Sequence, residues 1–519
     1  MPERKLSGWV SQKSGKEILL LVSILFLTKL IGTEAAPSLS SATRSETALA
    51  AKTLTLGLRE AVLLGLQNNQ ALRVEKLTPA VRKTYEEEEK ARFDPTLEAG
   101  LSLSRQHAQT PSRTTGALTG TTSSQVNLSG GFSRLLPGGT SFVTELSTAK
   151  DWSSLYSNLH TTRLGLTVTQ ALLQGADVEA NLARLRQARL DSFASEYELQ
   201  ALAENIVAEI EKTYWQYALA RREIEIYQDS LKLAEQQLKE TEEKISVGKL
   251  AEIELAAAQA EVALRREALI NATSKMESIR LQLLRLLNPP DGSWESEVIL
   301  KDLPAVPQVK LDAIENHCAL ALRLRPELQQ ARLSLQRNEV ELVKTKNGLL
   351  PKLDFFLTLG KTGYANSFGG SLQDITGKGY EVAAGLAFQW PVGNRQAKAQ
   401  YQRARLSRQQ AEEALENLSQ LVILDVRSAY LEVNRTYQQI TAVAATRVLQ
   451  EEKLRAETEK FRVGRSTPLL VAQTQRDLLS SQIAEIEAVV NYLTSLVDLF
   501  RLEGSLLERR GLSVEKVSP

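Results

Sequence analysis

Side chains that could do chemistry are few and poorly placed for it. The chain has three histidines, His107, His160 and His317, and one cysteine, Cys318. A structural or catalytic metal takes three or four close ligands, which this supply does not provide. His317 and Cys318 are neighbours, but adjacent helical positions face about 100° apart, so packing is their expected role. Glu209, Glu211 and Glu223 stand near Tyr214 and Trp215. Paired carboxylates act as general acid and base only inside a pocket, and here they are expected on the surface of a rod. Glu86 to Glu89 reads as a solvated helix face. No nucleophile, base or phosphate loop of useful spacing is present, so neither an enzyme nor a cofactor or metal site is expected.

The elements that carry these residues say more. The chain has 519 residues, with 63 Lys plus Arg against 62 Asp plus Glu, a net charge of +1. That balance argues against a nucleic-acid partner, which calls for a basic excess. Aromatics are only 5%, low for compact cores. A single cysteine excludes intramolecular disulfides. Residues 1–16 are basic, Ile18 to Leu27 is apolar, and Thr33-Glu34-Ala35-Ala36-Pro37 follows. This is a signal-peptide pattern, with cleavage expected after Ala35, because cutting after Ala36 would place Pro37 at the scissile bond. The competing reading is an uncleaved anchor, although ten apolar residues fall short of the roughly 20 a span needs. Removing residues 1–35 takes away five basic and three acidic side chains and moves the charge from +1 to −1.

Internal repetition decides the architecture. Lys244/Lys460, Val247/Val463, Gly248/Gly464 and Gln259/Gln475 match at one constant offset, as do Tyr214/Tyr430 and Leu286/Leu502. Pro95/Pro351 and Leu97/Leu353 match at a larger one, so copy one carries an insertion between Pro95 and Ala188. The copies are expected at 54–287 and 309–506, joined by a linker at 288–308. A flexible segment, 36–53, precedes them and a tail, 507–519, follows. Each copy reads as a medium helix (Leu56 to Arg92; Leu311 to Asn347), a proline, and a Gly/Ser/Thr-rich segment (97–173; 353–390). A very long helix (about 176–245; 395–461), a glycine turn (247–249; 463–465) and a last helix complete it. The apolar spacing of Ile206, Ile210, Tyr214 and Tyr217 is helical. A 70-residue helix spans roughly 105 Å, so each long helix needs two shorter ones stacked end to end, meeting at the height of the linker. Such a rod has no globular core, and four helical columns per chain do not close a tube. An oligomer is implied.

The Gly/Ser/Thr-rich segments alternate apolar and polar residues, as in LEAGLSLSRQ and LDFFLTLG. Strands of this kind build membrane barrels. Within the insertion, Gln125 to Lys150 carries two alternating runs about the turn Pro137-Gly138-Gly139. They are either an added hairpin, with that turn at the periplasmic rim, or a surface loop. Trp152 and Tyr156 read as an extracellular loop, with an interfacial girdle as the alternative, and Trp390 as an interfacial anchor, with a plain strand terminus as the alternative.

Three sets of motifs together carry a resemblance. They are the duplicated turns V-G-K-L and V-G-R-S, the prolines of FDPTL and LLPKL, and TQALLQG and QWPVGNR at the starts of the long helices. From about Leu54 to Leu506 the chain resembles the TolC-type outer membrane efflux protein family. The fold implied is mainly α with a membrane β-barrel part: long hairpins form a periplasmic tube, and β-hairpins form a trimeric barrel in outer membrane lipid. The implied function is the passive exit duct of a tripartite efflux or type I secretion system. It would be a homotrimer working with a periplasmic adaptor and an inner-membrane transporter of RND, ABC or MFS type. Four strands per protomer would close twelve strands, and the added hairpin would raise this to eighteen.

The site residues follow from the same alignment. Val247, Gly248, Val463 and Gly464 would form the tips where the adaptor docks. Pro95, Pro351, Gly175, Pro391 and Gly393 would mark the junction of barrel and tube. Relatives carry aspartates six and nine residues past the second turn glycine, where this chain has Leu470 and Gln473. The gate would therefore be apolar, with Glu254 and Arg465 as a latch between neighbouring hairpins or as plain solvated charges. A different class of protein fits some of the pattern: a periplasmic or secreted coiled-coil structural protein whose Gly/Ser/Thr segments are flexible linkers.

Overall fold

The computed structural model describes residues 53–111, 116, 118–153, 159–248, 250–290, 294–307 and 311–512. The chain divides into two units, Met1–Ala51 and Lys52–Pro519, and all described residues belong to the second. The expected signal peptide, residues 36–52 and Tyr156 lie outside the described residues.

Copy one begins with strand β1 (Thr53–Leu56) and three helices, α1 (Leu58–Asn68), α2 (Gln70–Glu75) and α3 (Thr78–Ala91). The pattern predicts one helix here, and the structure breaks it twice. Asn69 leaves the helix at ψ 123°, and its side chain accepts from the Leu72 amide at 3.2 Å. A short amide competes well with a helical bond, which makes Asn a good cap. Pro79 then sits in the first turn of α3, where a missing amide proton does no harm. Strands β2 (Thr96–Pro111), β3 (Leu118–Leu135), β4 (Thr140–Ser153) and β5 (Leu159–Ala171) follow, then α4 (Val178–Asn181), α5 (Ala183–Ser246) and α6 (Ile253–Leu287).

The expected linker holds strand β6 (Glu297–Leu300), paired in parallel with β1. Copy two comprises α7 (Ile314–Leu324), α8 (Pro326–Asn347), β7 (Lys352–Ala365), α9 (Phe368–Gln373), β8 (Tyr380–Gln389), α10 (Arg395–Arg462) and α11 (Pro468–Glu503). Its first helix also divides, because Pro326 drives Arg325 out of the α region to ψ 122°. A last short helix, α12, covers Leu506–Arg509.

Each long helix turns back into the helix after it, α5 into α6 and α10 into α11. At 1.5 Å per residue α5 is ~96 Å long and α6 only ~52 Å. The rest of α5 packs on α3 and α8, with Arg189 on Glu86 at 2.9 Å and Gln187 on Glu341 at 2.9 Å. Between the two halves lies the main core. Tyr214 is fully buried there, its single hydroxyl proton within reach of the Leu56 carbonyl at 3.2 Å and of Asp302 at 3.0 Å. Tyr217 donates to the Val298 carbonyl at 3.0 Å, so two hydroxyls on α5 pin both strands of the small sheet. Tyr430, the repeat partner of Tyr214, reaches the Asp312 carbonyl at 3.3 Å.

Two of the three carboxylates expected on a rod surface are instead buried and paired, while Glu209 is exposed. Glu211 accepts two bonds of 2.6 Å from Arg510, and Glu223 pairs with Lys275 at 3.0 Å. Glu86 is likewise buried, under Arg189 and Lys90. Glu503 is bonded by His317, by Ser505 at 2.8 Å and by Arg509. These pairs draw the C-terminal segment into the core, with Leu506 and Leu507 buried, so packed structure continues to Leu512 and no tail begins at 507.

Glu204 is the exception, because one of its oxygens, Oε1, is buried without a partner. Burial, and secondarily Glu327 and Glu508, raise its carboxyl to about 7 against the opposing Gln200 and Arg501. The folded chain therefore holds this proton more tightly than the unfolded chain, and stability falls as pH rises from about 4.5 to about 7. The difference corresponds to ~3 kcal/mol at most. Glu204→Gln is expected to raise the melting temperature near pH 8 and to leave it unchanged near pH 5, about where the native acid is already neutral. An equal effect at both pH values in thermal unfolding would contradict this.

Candidate functional site

The six long strands form one antiparallel sheet in the order β2-β3-β4-β5-β7-β8. Six strands stand where the resemblance implies four, and the added pair is β3–β4. Its turn closes through Leu136 and Thr140 at 2.8 Å, with Gly139 at φ +76°. Opposed residues share a face of a sheet, so the register sorts every side chain. One face carries Leu101, Leu128, Leu166, Leu359 and Val382, and most of these are exposed. The other carries one continuous row: Glu98, Gly131, Glu145, Gly165, Gly360 and Glu381. Arg163 reaches across Gly360 to Glu381 at 2.6 Å. Both partners are about half exposed, so the pair is worth under ~1 kcal/mol. Trp152 belongs to β4 on the apolar face, not to a loop, because the alternation runs on from Phe142 through Lys150.

The junction residues stand at the lower ends of the strands, Gly175 close to Pro351, Pro95 at one edge of the sheet and Pro391 and Gly393 at the other. Pro95 and Pro351 directly precede β2 and β7, and the Gln174 amide donates to the Pro351 carbonyl at 3.2 Å. Gly175 has φ +90°, and its amide donates to Asn347 at 3.0 Å. Asn181 donates to the Pro137 carbonyl at 2.7 Å and the Gly175 carbonyl at 2.6 Å, tying the added hairpin to the helices. Pro391 and Gly393 form the turn before α10, but the left-handed residue there is Asn394, at φ 41°. The asparagines were missed as site residues. Their tolerance of left-handed backbone and their readiness to cap chain ends were the available signal.

At the opposite ends of the long helices, Val247 and Val463 close α5 and α10, and Gly248 and Gly464 turn the chain at φ +70° and +74°. The two turns are neighbours: the Lys244 ammonium lies over the Phe461 ring at 3.9 Å. Val247 and Val463 are 65% and 70% exposed, in company with Ile253 and Leu469. Leu470 and Gln473 are exposed on the first turns of α11, and Glu254 opens α6. Glu254 and Arg465 make no ion pair with each other within the chain. Lys249 lies outside the described residues.

His317 and Cys318 are buried in the core, and no group of three potential ligands that could hold a metal occurs among the described residues. No helix among them is long and apolar enough to cross a membrane. A repeated pair of helical hairpins carrying a two-faced antiparallel sheet is the protomer architecture that the TolC-type resemblance implies.

Comparison with known proteins agrees. The outer membrane efflux protein family matches residues 64–289 and 318–505, and the chain belongs to that family. Outer membrane protein TolC of Escherichia coli (strain K12) is 24% identical over 282 residues, which cover 53% of this chain and 56% of TolC. The match thus spans little more than half of that relative. The outer-membrane channel OprN has a similar fold, with a TM-score of 0.66 and 18% identity over 86% of this chain and 90% of its own. The MtrE outer membrane channel of Neisseria gonorrhoeae, solved in its open state, gives a TM-score of 0.61 and 20% identity, covering 92% of this chain and 98% of its own.

The turn glycines differ in what a side chain would meet. A Cβ at Gly464 meets nothing within 4 Å, whereas at Gly139 it would lie 2.2 Å from the Gly175 carbonyl oxygen. Gly464→Ala should therefore cost only the left-handed strain, ~1 kcal/mol. Gly139→Ala should cost clearly more, since two backbones must separate. Thermal unfolding of the purified variants checks this, and equal losses would show that the junction yields freely.

Proposed function

We propose that this protein is the outer membrane exit duct of a tripartite efflux or type I secretion system, acting as a homotrimer. The observation that carries the reading is the sheet with one apolar and one polar face, joined through the junction to two long helical hairpins. Strands β2 and β8 are its edges. Unpaired edges are costly in lipid, so three sheets joined edge to edge, eighteen strands in all, satisfy them best. The apolar face then meets the outer membrane and the Glu–Gly row lines the lumen. Twelve helical columns would continue below as the periplasmic tube.

The tips are the end farthest from lipid, and their exposed Val247, Ile253, Val463 and Leu469 suit an adaptor that buries apolar surface. The inner-membrane transporter, of RND, ABC or MFS type, would drive transport through that adaptor. Leu470 and Gln473 would face the lumen near the constriction, where an apolar ring hinders ions by dewetting. The coiled-coil structural reading needs flexible linkers where the register instead has paired strands.

Purified protein in planar bilayers, with native mass spectrometry of the same sample, tests the duct. A conducting trimer is expected, with weak block by trivalent cations and a larger conductance after Leu470→Ser. A monomer that conducts, or strong trivalent block from the tip side, would count against it.

A further inference from the structure

The connection between β7 and β8 does not extend away from the sheet. It folds into α9 and a 3-10 turn (Asp374–Thr376) that lie flat on the apolar face of β5 and β7. Four contacts fix the side on which it lies. The Ser371 hydroxyl meets the Thr162 hydroxyl at 2.7 Å, both fully buried. A Cβ at Gly363 would lie 2.1 Å from the Ser371 carbonyl oxygen, so only glycine lets the helix seat. One at Gly370 would meet Ala365 at 2.9 Å. Lys361 donates to the Gly377 carbonyl at 3.0 Å. Thr162, Lys361, Gly363 and Ala365 share the face of Leu164, Leu166 and Leu359 by alternation. Seated this way, α9 turns Phe368 and Leu372 outward, 49% and 44% exposed.

Its height follows from the register. Gly363 lies ten residues along β7 from Leu353, about 34 Å of strand. At a tilt near 40° that is ~26 Å, about the height of the apolar band of a membrane barrel. Charge changes at this level. Below α9 the face is apolar, through Leu146 and Leu164. Beside and above it stand Lys150, whose ammonium lies 4.6 Å from the Trp152 ring centroid, His160, and the exposed Lys378. The acid in the connection, Asp374, is exposed but is engaged by the Tyr364 amide, which donates to it at 2.9 Å.

We infer that α9 is a lipid-docking element on the outer wall of the barrel. Phe368 and Leu372 enter the acyl boundary of the outer leaflet, while Lys150 and Lys378 face the lipid phosphates. Apolar side chains beneath cations are the composition of an interfacial anchor. The inference rests on the membrane reading above and adds to it a site for phosphate-bearing lipid.

The test uses the full chain in a Cys318→Ser background, reconstituted in vesicles of equal parts phosphatidylcholine and phosphatidylglycerol. A bimane label is placed through Phe368→Cys or, separately, Leu357→Cys. The label at 368 should lose about half its emission to lipids brominated near the headgroup and little to aqueous iodide. The label at 357 should be quenched by deep bromines. If 357 is quenched and 368 responds only to iodide, this inference fails alone; if neither responds to lipid, the membrane reading fails with it. Gly363→Leu should unseat α9 and abolish lipid quenching at 368 while sparing 357. Lys150→Glu with Lys378→Glu should lower quenching at 368 in these vesicles more than in pure phosphatidylcholine. An unchanged 368 signal in either variant overturns the proposed seating or the phosphate assignment respectively.

Discussion

A helix of 64 residues needs packing partners along ~96 Å, and the helices that follow the two long ones have only 35 and 36 residues. Each long helix must therefore change partners partway, and a change of partner leaves chain ends in the middle of the tube. Buried ends need hydrogen bonds. That single requirement accounts for the density of polar contacts around Tyr214. The parallel β1–β6 pair satisfies the backbone there, and the two tyrosines hold it to α5. The buried Glu211–Arg510 and Glu503–His317 pairs then close the core from the C-terminal side. Removing Arg510 would leave the fully buried Glu211 carboxylate without its partner, which is destabilising, so these contacts fix the C-terminal segment.

What could be read from the sequence depended on the range of the interactions involved. The duplication, the long helices, the turn glycines and the alternating strands are local patterns, and the residues that define them lie within a few positions of each other. The middle of the tube was not legible in that way. β1 and β6 are four-residue strands 244 positions apart, too short for a pattern and too distant to be matched. Glu211 looked like surface because its partner, Arg510, lies 299 residues away. The helix breaks were local but masked: Asn69 and Arg325 interrupt runs whose apolar period continues on both sides. Pro326 carried the clearer signal, since a proline constrains the residue before it.

The copies diverge in the sheet. Copy one supplies four strands and copy two supplies two strands and α9, while the helical hairpins stay closely matched. An insertion in a hairpin tube would disturb packing along its whole length. One at the Pro137–Gly139 turn needs only the local bonds from Asn181 and the close approach of Gly139 to Gly175. A sheet also accepts two strands at a time without reversing either face, because register and alternation carry over. The barrel is thus the part of the architecture that can widen while the tube keeps its column number.

Widening changes which charges matter to a substrate. In the proposed trimer, eighteen strands at 4.8 Å and a tilt near 40° would give a barrel radius of ~18 Å. Salt screens charges over about 8 Å under physiological conditions. The carboxylates of Glu98, Glu145 and Glu381 sit on the polar wall, and Arg163 offsets the last of them. A solute on the barrel axis lies beyond a screening length even allowing for side-chain reach, so the row acts on what moves along the wall and discriminates little on the axis. In the proposed duct the distances at the tips would be short, and Leu470 and Gln473, both exposed in the protomer, put no acid at either position. In such a duct, selection by charge would be weak at the wide end for lack of proximity, and at the tips it would fall to Glu254 and Arg465 and not to the Leu470 and Gln473 positions. On the proposed reading, passage would then depend chiefly on whether the tips part and on what is delivered to them.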